Sequence, residues 1–253
     1  MTEVLVALFG LIIGSFLNVC IYRIPKNLSI VFPNSHCPKC KKEINWYDNI
    51  PIISFLMLLG RCRYCKTKIS KKYLIVEVLV GILFLIAYRN FGLSTEFISS
   101  IIFISFLVII ALIDLKTGYI YDITVVPLAI IGFVFSLFIP DRSLLQSLSG
   151  FAIGGSIFLA IYYLSLWLYG QEGMGMGDVK LAAVLGVFLG LKNTPLMIVV
   201  SFVIGGIISV FLLLLKKKRR MDPVPFGPFL VLGTFITVFA GDRLMNILSS
   251  GLK

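Results

Sequence analysis

Phe97-Ile-Ser-Ser-Ile-Ile-Phe-Ile-Ser-Phe-Leu-Val-Ile-Ile-Ala-Leu-Ile113 is an apolar run without a single charge, and Asp114-Leu-Lys-Thr-Gly118 follows it directly. About 20 helical residues cross a hydrocarbon core of ~30 Å. The run therefore reads as a just-sufficient membrane span that ends on a carboxylate. Seven more apolar stretches read as spans, at 3–21, 74–88, 119–139, 144–169, 179–191, 195–215 and 226–249. Composition agrees: of 253 residues, 58% are hydrophobic and 14% charged, with mean hydropathy +1.01, whereas a soluble domain is about 25% charged. The expected fold is an all-α polytopic membrane protein with about eight transmembrane helices. No repeat of 20–50 residues stands out, which weakens the reading of a transporter built from repeated halves.

Charge sets the orientation. The net charge of +11 would suggest nucleic acid on a soluble protein; here no nucleic-acid partner is expected, because cytoplasmic loops of membrane proteins collect Lys and Arg. With eight spans, 18 of the 23 basic residues fall on one side, in the 22–73 segment, at Lys116, at Lys180 and in Lys216–Arg220. That side is cytoplasmic, and both termini lie outside. Basic residues follow the first apolar run rather than precede it, so the N-terminus reads as a retained span (1–21), not a cleaved signal peptide.

Residues 22–73 form the one long polar segment, read as a small cytoplasmic domain ahead of a membrane core at 74–253. It carries Cys37-Pro-Lys-Cys40, then 21 residues, then Cys62-Arg-Tyr-Cys65. Two C-x-x-C turns at such a distance predict a tetrathiolate zinc site. With four thiolates there is no open position, so the zinc is expected to be structural. His36 adjoins the site but is not needed as a ligand, and Cys20 reads as a packing residue of the first span. Ile50–Leu59 is apolar but too short to span. It reads either as an interfacial segment on the lipid bilayer or as the module's own core helix.

The twelve acidic residues divide by place. Glu3, Glu96, Asp141 and Asp242 fall at the outer face. Glu43, Asp48, Glu172 and Asp222 fall in loops and read as solvated. Glu77 begins the second span. Asp114, Asp122 and Asp178 remain as the unusual ones. Asp114 and Asp178 sit at membrane depth on the cytoplasmic side, where an ionisable group is expensive and by default functional. Two such carboxylates suit aspartic hydrolysis, one ionised to activate water and the other protonated to polarise the scissile carbonyl. The competing roles are helix capping and pairing with Lys116 or Lys180.

Gly175-Met-Gly-Asp178 resembles the GxGD motif of membrane aspartic peptidases, and the chain as a whole resembles the type IV prepilin peptidases. The likeness runs through Gly14-Ser-Phe-Leu-Asn-Val19, Tyr22-Arg-Ile-Pro25, both cysteine pairs, Trp46-Tyr-Asp-Asn-Ile-Pro51, Gly60, Tyr73, Glu77, Asp114-Leu-Lys-Thr117 and Pro225-Phe-Gly-Pro228. It implies Asp114 and Asp178 as the catalytic pair, with Gly175, Gly177 and Asp122 in support. It also implies prepilin or pseudopilin substrates of type IV pilus or type II secretion systems, cut after a glycine at the cytoplasmic membrane edge. The expected location is the bacterial cytoplasmic (inner) membrane. The resemblance further implies N-methylation of the new terminus with S-adenosylmethionine as donor. The long cytoplasmic loop is the other segment large enough to help hold a polar cofactor, and Gly60, at its bend before Cys62, and Glu77 are the candidate methyl-transfer residues.

Overall fold

The computed structural model describes residues 1–140, 142–171, 173–215 and 224–251, with only the backbone at 242–244 and 246–251. Among the described residues there are helices and two isolated β-bridges, and no strands. Residues Met1–Ile109 and Ile110–Lys253 form two compact units. The expected positions at Asp141, Glu172, Lys216–Arg220, Asp222 and Lys253 lie outside the described residues.

In the first unit, α1 (Thr2–Arg23) packs along α3 (Lys71–Phe91). The seam is close because it is built on glycine. A Cβ at Gly10 would stand 2.8 Å from the Gly81 Cα, and one at Gly14 would stand 2.8 Å from the Glu77 Cα. Small residues one turn apart let two backbones meet in this way. Cys20 is buried in α1, as a packing residue should be. α3 is longer than the 74–88 stretch because Ser70 caps it, its side chain accepting the Lys72 N–H; the terminal Lys and Arg then extend the helix beyond the apolar run.

Between these helices lies the cysteine module with the short α2 (Ile53–Met57). α2 is not the core helix of that module. Of its residues only Ser54 is buried, while Leu56, Met57 and the following Leu59 are largely exposed. α4 (Thr95–Thr117) runs for 23 residues, or about 34 Å at 1.5 Å per residue, enough for a ~30 Å core.

The second unit takes in the end of α4, then α5 (Asp122–Ser136), α6 (Leu144–Tyr169), α7 (Met176–Leu214) and α8 (Gly227–Gly251). α5 has 15 residues where the sequence suggests a longer stretch. It starts only at Asp122, after the turn that begins at Gly118, whose φ is +71°.

α7 is two helices joined at Gly190, where φ is 69° and ψ −178°, a conformation close to glycine-only. Contacts along α6 give the path. Gly150 meets Gly186 and Gly154 meets Ala182, whereas Phe158 stacks on Phe202 at 5.8 Å. Level therefore falls along α6 up to Gly190 and rises again after it, so the chain doubles back there. The second arm then packs on α8, with Gly233 against Ser201 and Gly205 against Phe229. The two apolar stretches at 179–191 and 195–215 correspond to these arms. Among the described residues, five helices are long and apolar enough to cross a membrane, with α7 taken as one, and Asp122–Ser136 and Gly227–Gly241 are shorter apolar helices.

Candidate active site and metal centre

Asp178 is the third residue of α7, whose N-cap is Gly175. Its backbone N–H donates to the Gly175 carbonyl at 3.0 Å, and the Gly175 N–H reaches back to the Asp178 carboxyl. This is half of a capping box, so the capping role is real, but it uses only part of the side chain. Asp178 Oδ1 is buried and meets no donor. A buried, unpaired carboxylate oxygen is costly, and this one is free to take a water or a proton.

Asp114 lies in the last turn of α4 and is 3% exposed. Its Oδ2 accepts the Gly227 N–H at 3.1 Å, at the start of α8. Ile120, in the turn after α4, gathers the three helix ends. Its Cβ lies 3.0 Å from the place a Gly177 Cβ would take, and its Cδ1 lies 3.2 Å from that of Gly227. The carboxyls of Asp114 and Asp178 are thereby near enough for their charges to interact. Lys180 pairs with Asp122, at 2.7 Å and 2.9 Å, and not with Asp178. Asp122 and Lys180 are 61% and 47% exposed, a surface pair that ties α5 to α7. Asp122 thus stands apart from the two interacting carboxyls. Sequence reasoning did not single out Gly227 or Ile120 as site residues; the Pro-Phe-Gly-Pro motif was the available signal for Gly227.

The four cysteines come together in the first unit, with all four sulfurs within 4.8 Å of one another. Cys37 Sγ and Cys65 Sγ are 3.8 Å apart. Zn–S bonds of about 2.3 Å in a tetrahedron require sulfur–sulfur edges of about 3.8 Å, so the set fits a metal of that kind. His36 stays out of the cluster, its Nδ1 lying 3.2 Å from the Asn34 carbonyl.

The two turns are built alike, 25 residues apart, a local repeat the sequence reading missed. Cys37 N–H donates to Lys42 O and Lys41 N–H to Cys37 O; Cys62 N–H donates to Thr67 O and Lys66 N–H to Cys62 O. Lys41 and Lys66 both take positive φ, at 61° and 55°. Such turns aim backbone N–H groups at sulfur, and that of Cys40 draws the Cys37 thiol down to about 6.

Asp48 is not solvated. Its side chain is 6% exposed and holds Arg63 through two bonds of 2.6 Å and 2.7 Å. Arg63 accordingly keeps the Asp48 carboxyl below the usual carboxylate range.

Gly60 opens the second turn at φ +64°, where a Cβ would meet Phe55 Cζ at 3.0 Å. Glu77 is buried in α3, accepts the Ile52 N–H at 3.1 Å and hydrogen-bonds Ser15. Gly60 and Glu77 both bear on the cysteine module, Gly60 within it and Glu77 through Ile52.

Residues 8–91 match the Bacterial Peptidase A24 N-terminal domain, and residues 101–210 match the Type IV leader peptidase family. The prepilin leader peptidase/N-methyltransferase of Pseudomonas aeruginosa is 33% identical over 260 residues, covering 94% of this chain and 90% of its own. That of Neisseria gonorrhoeae is 35% identical over 270 residues, covering 95% and 91%. That of Xanthomonas campestris is 34% identical over 263 residues, covering 94% and 91%. No solved structure matches the chain. A third of all positions shared along nearly the whole of both chains decides the kinship, and the chain belongs to the Type IV leader peptidase family.

Proposed function

We propose that this chain is a membrane-embedded, bifunctional enzyme: it removes the basic leader of prepilins or pseudopilins and N-methylates the residue thereby exposed. The observation that carries the peptidase reading is the pair Asp114 and Asp178, brought within electrostatic reach with Asp178 Oδ1 unpaired. One carboxylate takes a proton from water as the water oxygen attacks the scissile carbonyl. The other, protonated, donates to the carbonyl oxygen. The carboxyl holding the water's proton then delivers it to the leaving amine. The methyltransferase reading is supported by the double activity in the relatives' names.

Zinc on Cys37, Cys40, Cys62 and Cys65 holds the cytoplasmic module in shape. The bilayer side of that module is α2, whose Leu56 and Met57 are exposed, in a stretch flanked along the chain by the basic residues of 39–42 and 61–72. Snorkelling cations around an apolar strip suit the headgroup boundary.

The test is purified protein in detergent with a prepilin, with and without S-adenosylmethionine, followed by mass analysis of the pilin N-terminus. Loss of the leader in both samples, with one added methyl group only in the second, is expected. An uncut prepilin in both would sink the reading.

Two further results are expected. Eight spans in the inner membrane, both termini outside, place reporter fusions at Arg89, Arg142 and Lys192 outside and one at Lys218 in the cytoplasm; a cytoplasmic signal at Arg142 breaks that topology. Gly227→Ala puts a methyl group 2.6 Å from Asp114 Oδ2. The carboxylate must move and its N–H bond must open, and displacement of a catalytic group by about 1 Å costs on the order of 100-fold. Cleavage in Gly227→Ala should fall by at least that factor, with expression unchanged.

A further inference from the structure

The second half of α1 carries an apolar stripe that ends in a buried cation. Ile12, Phe16 and Val19 follow one another at helical spacing, and Arg23 comes next on the same face. Ile12 and Phe16 are exposed on a helix long and apolar enough to cross a membrane, so lipid covers this stripe. From Ile12 to Arg23 the helix rises about 16 Å at 1.5 Å per residue, which is about half of a ~30 Å hydrocarbon core. The stripe spans one leaflet and brings Arg23 to its headgroup edge. There Arg23 lines a cavity of about 300 Å³, walled by the stripe on one side and by Val31, Asn34 and Asn49 of the 22–73 segment on the other. Arg23 is 7% exposed and donates to the carbonyls of Ser29 and Pro33 at 2.8 Å and 2.7 Å. A guanidinium has five N–H groups, so donors remain beyond these two bonds. No carboxylate pairs with Arg23 among the described residues. The loop that wraps it is apolar at its surface, with Leu28, Ile30, Val31 and Phe32 all exposed. Such a cluster on one short loop belongs in hydrocarbon, not in water.

We propose that this cavity binds the headgroup of an anionic phospholipid, drawn from the leaflet on the side of the cysteine module. The phosphate lies against the Arg23 guanidinium, whose planar fork suits the two free oxygens of a phosphodiester. Asn34 and Asn49, which also line the cavity, carry amide donors. An acyl chain runs along the exposed face of Ile12 and Phe16, and the apolar loop flanks it. Charge decides the class of ligand. No acidic residue lines the cavity, so a buried Arg23 compensated only by carbonyl dipoles favours a negative group over a neutral or a cationic one. Basic pockets at headgroup depth take acidic lipids for that reason. Size agrees, since the volume is at the lower end of small-molecule sites; it admits a headgroup and leaves the chains outside along α1. A free phosphate ion shares the headgroup's chemistry but leaves the stripe and the apolar loop without a partner. Pro33, Asn34 and Ser35 line the cavity just ahead of Cys37, so the bound lipid anchors the first cysteine turn at the membrane surface. The site is independent of both activities proposed above.

The experiment uses full-length, zinc-loaded protein in detergent with a photoactivatable phosphatidylglycerol, followed by peptide mapping. Lipid around any span is labelled without selectivity, so the site is the label that a competitor displaces. Label in peptides from residues 12–51, which bound the cavity, should fall at least ~10-fold with unlabelled phosphatidylglycerol. It should persist with phosphatidylcholine or inorganic phosphate at the same concentration. Arg23→Gln removes the charge, and Val19→Trp fills the cavity from α1 while leaving both carbonyl bonds of Arg23 in place. Each should lower the displaceable label at least ~10-fold, with zinc content measured on the same samples. If Arg23→Gln loses zinc, Val19→Trp decides. Equal displacement by phosphatidylcholine means that the cavity does not read charge, and overturns the assignment. Displacement by inorganic phosphate makes it an ion site and overturns the lipid. Unchanged displaceable label in zinc-loaded Val19→Trp places the lipid elsewhere and overturns the cavity.

Discussion

Asp114→Asn and Asp178→Asn should each insert normally and fail to cleave prepilin, with kcat/KM reduced at least ~10⁴-fold. Asparagine keeps the shape of the side chain but can neither ionise nor hold the proton that two facing carboxyls divide between them. The double variant should be little worse than either single one, since groups that act as a unit are lost together. Asp122→Asn is the contrast. Its partner Lys180 is half exposed, and exposed pairs are worth about 0–1 kcal/mol, so cleavage should change by no more than about fivefold. The measurement is cleavage of one prepilin by all four variants, alongside their membrane yield. Substantial activity in Asp178→Asn removes it from the catalytic role. An inactive Asp122→Asn beside an active Asp114→Asn would transfer the role to Asp122.

The long apolar helices were legible because lipid imposes a length and an apolarity on a crossing helix, and Phe97–Ile113 lies within one of the five long enough to cross. Their ends were less legible. α3 gains terminal turns from a Ser70 cap and from Lys and Arg, which hydropathy discounts. α5 loses its first residues to the turn at Gly118. The reversal at Gly190 was readable only as a gap between two apolar runs, because one glycine with positive φ does the work of a loop.

Asp114 and Asp178 stood out as charges at membrane depth. What the sequence did not reveal was how each is held, since the groups involved are backbone N–H groups of Gly175 and Gly227 and the apolar Ile120, none of which carries a chemical signature. Asp48 was misread for a related reason. Its partner Arg63 is 15 residues away, and composition makes any acid in a basic loop look solvated.

Cys62→Ser should purify without zinc, where the wild type should carry about one per chain, and its loop should be cut by protease under conditions that leave the wild-type loop intact. The reason lies in what the module lacks. Between residues 30 and 70 only Cys37 and Ser54 are buried, so no hydrophobic core replaces the metal. Structural zinc contributes on the order of 10–16 kcal/mol of apparent binding free energy, and in a segment without a core this is folding free energy. Losing one of four thiolates opens the tetrahedron and releases both turns. The Asp48–Arg63 pair and the contact of Lys42 with the Tyr64 ring, 4.6 Å from its centroid, link these turns to their surroundings but are partly exposed. They cannot substitute for the metal.

Gly60→Ser is the graded counterpart. Its φ of +64° and the Phe55 ring tilt the second turn without removing a ligand, so zinc should stay bound while methyl transfer falls more than cleavage. Metal analysis and limited proteolysis on both variants, with methylation of pre-cleaved pilin, decide the matter. Full zinc in Cys62→Ser would show that three thiolates hold the metal. Equal loss of both activities in Gly60→Ser would make the module a docking element shared by them.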